Sequence, residues 1–277
     1  MQRINVPGEF QPGSTLRYPC HQNGFRAEPA VFEYFGRNDC NTSLVYLPIF
    51  WDNWLVNHGF GRDVVALQNY LTSTMLQYQD KRVWTICEYA DGICVDAPKN
   101  LHVFYCARTG GTSLPLICDP HPIVEQPKSL LASFVGSLET HPIRKEMVRA
   151  FGMLDNMIVS GPSGTNKFEE LMAKSYFALC PRGYGPTSYR LYEAIQMGIV
   201  PVYISDTFIL PYEDKIIWED FCVLVGLDGL PELPKLLQSL VDNGKHQKMR
   251  ERILTLRDEW FTMEAMCKYI NKYLEER

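Results

Sequence analysis

Tyr176-Phe177-Ala178-Leu179-Cys180 runs straight into Pro181-Arg182-Gly183-Tyr184-Gly185-Pro186-Thr187-Ser188, and Tyr189-Arg190-Leu191-Tyr192-Glu193-Ala194-Ile195-Gln196-Met197 follows. A short apolar run bounded by turn residues reads as a buried strand. The segment from Ser188 to Met197 has helical spacing and stops at Gly198. Thr187 or Ser188 caps that helix. A helix N-terminus carries unpaired N–H groups and partial positive charge, so anions settle there. Gly183 and Gly185 let the backbone approach a ligand closely, and Arg182 adds a fork of donors suited to phosphate oxygens. Arg190 and Glu193 stand three apart and share one helix face. One can neutralise phosphate while the other accepts from ribose hydroxyls. The plainer alternative is an ordinary loop with a surface ion pair worth about 0.2–0.5 kcal/mol. Neither a Walker A lysine nor a GxGxxG spacing is present.

Outward from this loop, strands and helices alternate. Downstream, Ile199–Ile204 and Val223–Val225 read as strands, and the last forty residues as helical. Upstream, the pattern predicts strands at 133–136 and 157–160, and helices at 142–151 (capped by Thr140) and 167–174. A proline-rich crossing, Cys118-Asp119-Pro120-His121-Pro122 to Gln126-Pro127, precedes them. Before it, Val31–Phe35, Leu44–Phe50, Arg82–Cys87 and Leu101–Cys106 read as strands and Asp63–Gln79 as a helix, after an irregular arm of about thirty residues. Alternation at this spacing implies parallel, doubly wound sheets. The expected class is α/β with two Rossmann-like lobes, residues 1–125 and 126–277, the terminal helices belonging to the second.

The chain has 277 residues, 46% of them hydrophobic and a formal net charge of −5. That supports a packed core and argues against a dedicated nucleic-acid binder. No apolar window reaches the roughly 18 residues of a membrane span, and the N-terminus lacks a signal-peptide core. Nine scattered Cys with no CxxC pair suggest a reducing compartment and no structural zinc. The expected location is cytoplasmic and soluble, and the Asn41-Thr42-Ser43 sequon is read as accidental. His102, His121 and His141 lack ligand spacing. Cys180 has no partner His to make it a nucleophile. Gly161-Pro162-Ser163-Gly164-Thr165 reads as a βα turn that can border a nucleoside.

Residues 168–218 resemble the signature of the exostosin-type (GT47-like) glycosyltransferases. The matching stretches are Ser175-Tyr176-Phe177-Ala178-Leu179-Cys180-Pro181-Arg182-Gly183, Ser188-Tyr189-Arg190, Glu193-Ala194-Ile195 and Gly198-Ile199-Val200-Pro201-Val202, then Asp206, Leu210-Pro211 and Trp218-Glu219-Asp220-Phe221. Looser, collinear similarity covers Val45-Tyr46-Leu47-Pro48, Arg82-Val83-Trp84 to Asp91-Gly92, and Phe134-Val135-Gly136 through Ile143-Arg144. Set against animal exostosins, the expectation is a form without their anchor, stem and second catalytic domain. It looks like the compact soluble form of plant and large-virus (chlorovirus) xylosyltransferase-like members, which brings a virus-encoded protein in a host cell within the reading.

The resemblance implies GT-B architecture, with a donor cleft between the lobes and the nucleotide sugar mainly on the C-terminal one. It also implies an inverting transfer that forms a β-glycoside from a UDP-sugar and a glycan hydroxyl. Xylose is the favoured sugar, and a hexose or uronic acid the alternative. No Asp-x-Asp occurs, so no metal or other cofactor is expected, and helix N-termini and fixed cations must stabilise the leaving diphosphate. Candidate donor-side residues are Arg144, Arg182, Gly183, Tyr184, Ser188, Arg190 and Glu193. A carboxylate base must activate the acceptor, and Asp91, Asp52 and Glu88 are the candidates. Asp91 is preferred because Asp91-Gly92 follows a strand end, although each can be an ordinary loop acid. Trp51 and Trp54 can stack on acceptor sugars or simply fill the core. A noncatalytic nucleotide-sugar or glycan-binding module is the reading from another class.

Overall fold

The computed structural model describes residues 1–11, 26–162 and 167–277. They form two compact units, Met1–Asp119 with Met263–Arg277, and Pro120–Thr262.

In the first unit, α1 (Ala27–Arg37) is followed by β1 (Val45–Tyr46), α2 (Trp51–Asn57), α3 (Val65–Gln77), β2 (Val83–Cys87), β3 (Leu101–Tyr105) and β4 (Thr112–Ser113). The sheet is parallel in the order β1-β2-β3-β4, with Val45 opposite Val83 and Val83 opposite Leu101. All five β2 residues are buried, as a central parallel strand requires. The expected strand at Val31–Phe35 is part of α1 instead. Ala27, Val31 and Phe35 recur every four residues on its buried face, a period that a five-residue run is too short to reveal. Gly111 allows the tight return from β3 to β4. A Cβ there would lie 2.1 Å from the Val103 carbonyl oxygen. Backbone cannot yield as a side chain can, so Gly111→Ala is expected to cost about 1–3 kcal/mol in urea unfolding. An unchanged midpoint would contradict that close approach.

The second unit contains β5 (Leu130–Val135), α4 (Pro142–Phe151), β6 (Met157–Ser160), α5 (Lys167–Ala173), β7 (Ser175–Pro181), α6 (Tyr189–Met197), β8 (Val200–Ile204), β9 (Val223–Val225), α7 (Leu233–Asp242) and α8 (Lys245–Trp260). Its five strands are parallel in the order β6-β5-β7-β8-β9. The winding therefore reverses between β5 and β7. Loops at the carboxyl ends of these two strands flank the crevice where open α/β sheets bind ligands. Gly198 ends α6 in the left-handed region at φ +70°, the conformation that favours glycine at a helix stop. The α4 cap is His141, not the expected Thr140: its Nδ1 accepts from the Ile143 amide at 3.3 Å, with Pro142 opening the helix.

The final helix, α9 (Met263–Glu275), belongs to the first unit. Met266, Cys267, Ile270 and Leu274 are buried. Thr42 Oγ1 donates to the Leu274 carbonyl at 2.9 Å, and Thr112 Oγ1 to Tyr273 Oη at 3.1 Å. This corrects the expected division at 125/126 with all terminal helices in the second lobe. The compact units divide at Asp119/Pro120, and the chain returns to the first unit after Thr262. An amphipathic helix carries no record in its own sequence of which apolar surface it will cover.

Candidate functional site

The loop between β7 and α6 is built from both sides. The Arg182 amide donates to the Ile204 carbonyl at 2.9 Å and the Gly183 amide to the Thr187 carbonyl at 3.0 Å. Tyr203 Oη and Ser205 Oγ, from the end of β8, both donate to the Pro186 carbonyl, at 3.1 and 2.9 Å. Ser188 is the N-cap residue, with extended backbone and no side-chain bond to its own helix. Its hydroxyl is buried and has no hydrogen-bond partner among the described residues. A buried polar atom left unpaired beside the open N–H groups of a helix is costly unless a ligand meets it.

Three guanidinium groups converge on this region. Arg190, in the first turn of α6, donates from Nη2 to the Val135 carbonyl at the end of β5, 3.0 Å away. Its guanidinium carbon lies 3.8 Å from the centre of the Phe168 ring. Nη1 is 2.9 Å from Glu193 Oε2, outside hydrogen-bond geometry, and Nε is buried without a partner among the described residues. Glu193 is only 6% exposed. The alternative of a solvated surface pair therefore fails, because this pair is held in the interior where desolvation makes its geometry consequential.

Arg144 is buried too, and its role differs from the expected direct cation. Nε donates to the Arg182 carbonyl at 3.0 Å, Nη1 to the Ser137 carbonyl at 2.7 Å and Thr140 Oγ1 at 3.4 Å, and Nη2 to the Pro181 carbonyl at 3.3 Å. It buckles the β5–α4 loop to the β7–α6 loop. All four acceptors are carbonyl or hydroxyl oxygens, and none is a carboxylate. Burial, then the neighbouring Arg190, pulls its pKa down to about 10, still charged at neutral pH. Arg182 pairs with Asp206 and donates from Nη2 to the Tyr184 carbonyl at 3.2 Å, while its Nε is buried with no partner among the described residues. Desolvation would raise the Asp206 carboxyl, yet the Arg182 hydrogen bond and charge hold it below its ordinary value. Three guanidiniums against two carboxylates leave a net positive charge at a helix N-terminus. Tyr184 stands at the rim, 65% exposed, and Gly183 lies against Arg144, 3.6 Å from Nη2 at its missing Cβ.

The first-unit candidates separate sharply. Asp52 and Glu88 are buried, at 5% and 4% exposure, and both engage Arg26. The reading of them as accessible bases is corrected: a carboxylate enclosed in an ion pair does not present itself to a hydroxyl. Asp91 alone of the three is exposed, on the turn after β2; its carbonyl accepts from Arg108. Trp51 is completely buried and donates from Nε1 to Thr85 Oγ1 at 2.8 Å. It is a core residue, not a stacking platform, and Trp54 is likewise enclosed. Pattern reading missed Phe168 beneath Arg190, because nothing local marks a ring contact across 22 residues of chain. It also missed Glu28, whose position next to Pro29 signals a helix start but not its burial.

Of the proposed nucleoside-bordering turn, Ser163, Gly164 and Thr165 lie outside the described residues, as does Cys20. The described cysteines are free, and burial pushes the Cys180 thiol well above its ordinary value, which suits an inert filler. Among the described residues, no group of three or more His, Cys, Asp or Glu is placed to hold a metal ion. No described helix is long and apolar enough to cross a membrane.

Comparison with known proteins follows the same residues. The Exostosin GT47 domain matches residues 51–240. A protein of Arabidopsis thaliana named as a probable glycosyltransferase is 31% identical over 153 residues, 54% of this chain and 28% of its own length. The probable beta-1,4-xylosyltransferase IRX10 of the same plant is 40% identical over 82 residues, 30% of this chain and 20% of its own. The probable glucuronosyltransferase GUT1 of Oryza sativa subsp. japonica is 42% identical over 73 residues, 26% of this chain and 18% of its own. The match thus spans under a third of each of these relatives. Among solved structures, Anabaena HepE in complex with UDP superposes with a TM-score of 0.47 at 10% identity, covering 90% of this chain and 82% of that one. Each of the two units is a parallel, Rossmann-like α/β sheet, and the family match over residues 51–240 takes in strands of both. The chain belongs to the exostosin GT47 family.

Proposed function

We propose that the chain is an inverting glycosyltransferase that moves a sugar, with xylose favoured, from a UDP-sugar to a glycan hydroxyl. The observation that carries this reading is the cationic, under-satisfied N-terminus of α6. The unpaired Ser188 hydroxyl, the Arg182 and Arg190 Nε groups and the loop buckled by Arg144 lie on either side of the switch point. Such a surface is complementary to a diphosphate, whose charge grows as the glycosidic bond breaks. Preorganised donors stabilise that charge most when water is excluded. Glu193, beside Arg190 and buried, is the acceptor for ribose hydroxyls. In the other unit, Asp91 is the carboxylate that takes the acceptor proton.

Xylose is favoured by the likeness to IRX10, while the likeness to GUT1 keeps a uronic acid as the second donor. The test is UDP release from a panel of UDP-sugars with glycan acceptors. Turnover of one donor supports transfer. UDP binding with no turnover of any donor and acceptor pair favours the binding-module alternative. The chain has no Asp-x-Asp, and fixed cations serve the diphosphate, so UDP affinity is expected to be the same with and without EDTA in calorimetry. A loss of affinity on chelation would overturn the assignment of charge stabilisation to arginines and a helix end.

A further inference from the structure

The first unit buries a four-residue ionic network that the transfer proposed above does not use. Arg26, Glu28, Asp52 and Glu88 are all less than a tenth exposed. Arg26 pairs with Asp52, and its Nε lies 3.6 Å from Glu88 Oε2, which also accepts from the Ala27 amide at 3.0 Å. Glu28 binds no side chain in this set but two backbone amides. Its Oε1 accepts from Glu88 N at 2.9 Å and from Asp52 N at 3.2 Å, and Oε2 shares the Asp52 amide at 3.2 Å. One carboxyl group thus ties the first turn of α1 to the N-terminus of α2 and to the first residue beyond β2. That residue begins the loop that carries Asp91.

Counting charge decides the state of this group. Facing Glu28 are Arg26 ahead of α1, Tyr46 on β1, Asp52 on α2, Cys87 and Glu88 at the end of β2, and Cys106 after β3. Of these only Arg26 is a cation, and Asp52 and Glu88 already share it. A third ionised carboxylate would be buried without a counterion of its own among the described residues, which is strongly unfavourable. Desolvation accordingly raises the Glu28 pKa from 4.5 to about 8, against the lowering effect of the Glu88 amide. Oε1 takes both amides, and Oε2 only the Asp52 amide.

We propose that Glu28 is a positioning residue for the loop bearing Asp91: as an uncharged carboxyl it fixes the Glu88 and Asp52 amides in a dry site, and its ionisation there, opposed by burial, draws in water and so opens that attachment. The catalytic half of this inference rests on the transfer reading; the conformational half does not. A carboxyl whose folded pKa lies above its unfolded one contributes its full stability below about 4.5. That contribution is lost as the pH climbs through about 8.

The experiment compares the full wild-type chain with Glu28→Gln and Glu28→Ala in thermal melts at pH 5, 7 and 9. Glutamine keeps the Oε1 acceptor and cannot ionise. The wild-type Tm is expected to fall from pH 5 to pH 9 by more than that of Glu28→Gln. Identical pH dependence of the two proteins overturns the proposal, whether or not Glu28→Ala folds. In turnover assays, Glu28→Ala is expected to lower kcat at pH 7 with little change in KM for the donor. Glu28→Gln should restore kcat and remove its alkaline fall. A wild-type kcat in folded Glu28→Ala overturns the positioning role. If the wild type turns over no donor, the transfer reading fails while the melts still decide the attachment.

Discussion

Asp91→Asn is expected to lower the turnover number by about 10²–10⁴-fold and to leave UDP affinity unchanged. In the proposed transfer the base meets only the acceptor hydroxyl, so its loss is expected in the transition state and not in donor binding. Asparagine preserves the size of the side chain and its place on the turn after β2, where Gly92 (φ +77°) completes the bend. The contrast lies with the two carboxylates that the structure encloses. Asp52→Asn and Glu88→Gln each take one of two carboxylates away from Arg26; the other still matches its charge, so the expected cost is that of one charge-assisted interaction, about 1.5–3 kcal/mol. They should therefore lower Tm and affect kcat only through folding. Near-normal turnover in Asp91→Asn would place the base elsewhere. A folded Asp52 or Glu88 variant with an undiminished Tm and a collapsed kcat would restore the corresponding acid as the catalytic candidate.

The second large effect is expected at Glu193. Hydrogen bonds to a charged group contribute about 1.5–3 kcal/mol, so Glu193→Ala should weaken UDP roughly ten- to a hundredfold. The structure sharpens what must be measured, because Glu193 is also the counterion of Arg190. Removing it leaves that guanidinium with more charge for a phosphate and nothing for a ribose. Uridine should accordingly lose affinity in the variant, while inorganic diphosphate binds as well as before or better. Calorimetry with the two ligands separates the contributions. Uridine binding that is indifferent to Glu193→Ala would remove the ribose contact from the proposal. Weaker diphosphate binding would mean that Glu193 matters by holding Arg190 over Phe168 and toward the Val135 carbonyl.

Much of this arrangement is written locally. The α6 helix, its stop at Gly198, the strands on either side of it and the loop carrying Arg182 all lie within about thirty residues. Their signals are nearest-neighbour ones: a short apolar run, a cap, a 3.6-residue period, a residue that tolerates positive φ. Helix 142–151 and strand 157–160 were legible for the same reason. Where the period was too short to discriminate, at Val31–Phe35, local pattern pointed to a strand and packing made a helix. Residue chemistry and spacing were enough to pair Arg190 with Glu193, whose side chains lie 2.9 Å apart.

Which charges face outward was not legible, because burial depends on partners distant in sequence. Arg26 meets Glu88 across 62 positions, and Glu28 caps an amide of α2 24 positions away. Nothing near Asp52, Glu88 or Asp91 distinguishes two enclosed acids from an exposed one, and the indole of Trp51 gives no local sign of its bond to Thr85. Likewise, Arg144 is a cation in the sequence and a buckle between two loops in the fold, since its donors are consumed by carbonyls that only the sheet brings together. The destination of α9 was open for the same reason. Periodicity states that a helix has an apolar face, and the surface that covers it is chosen by the rest of the chain.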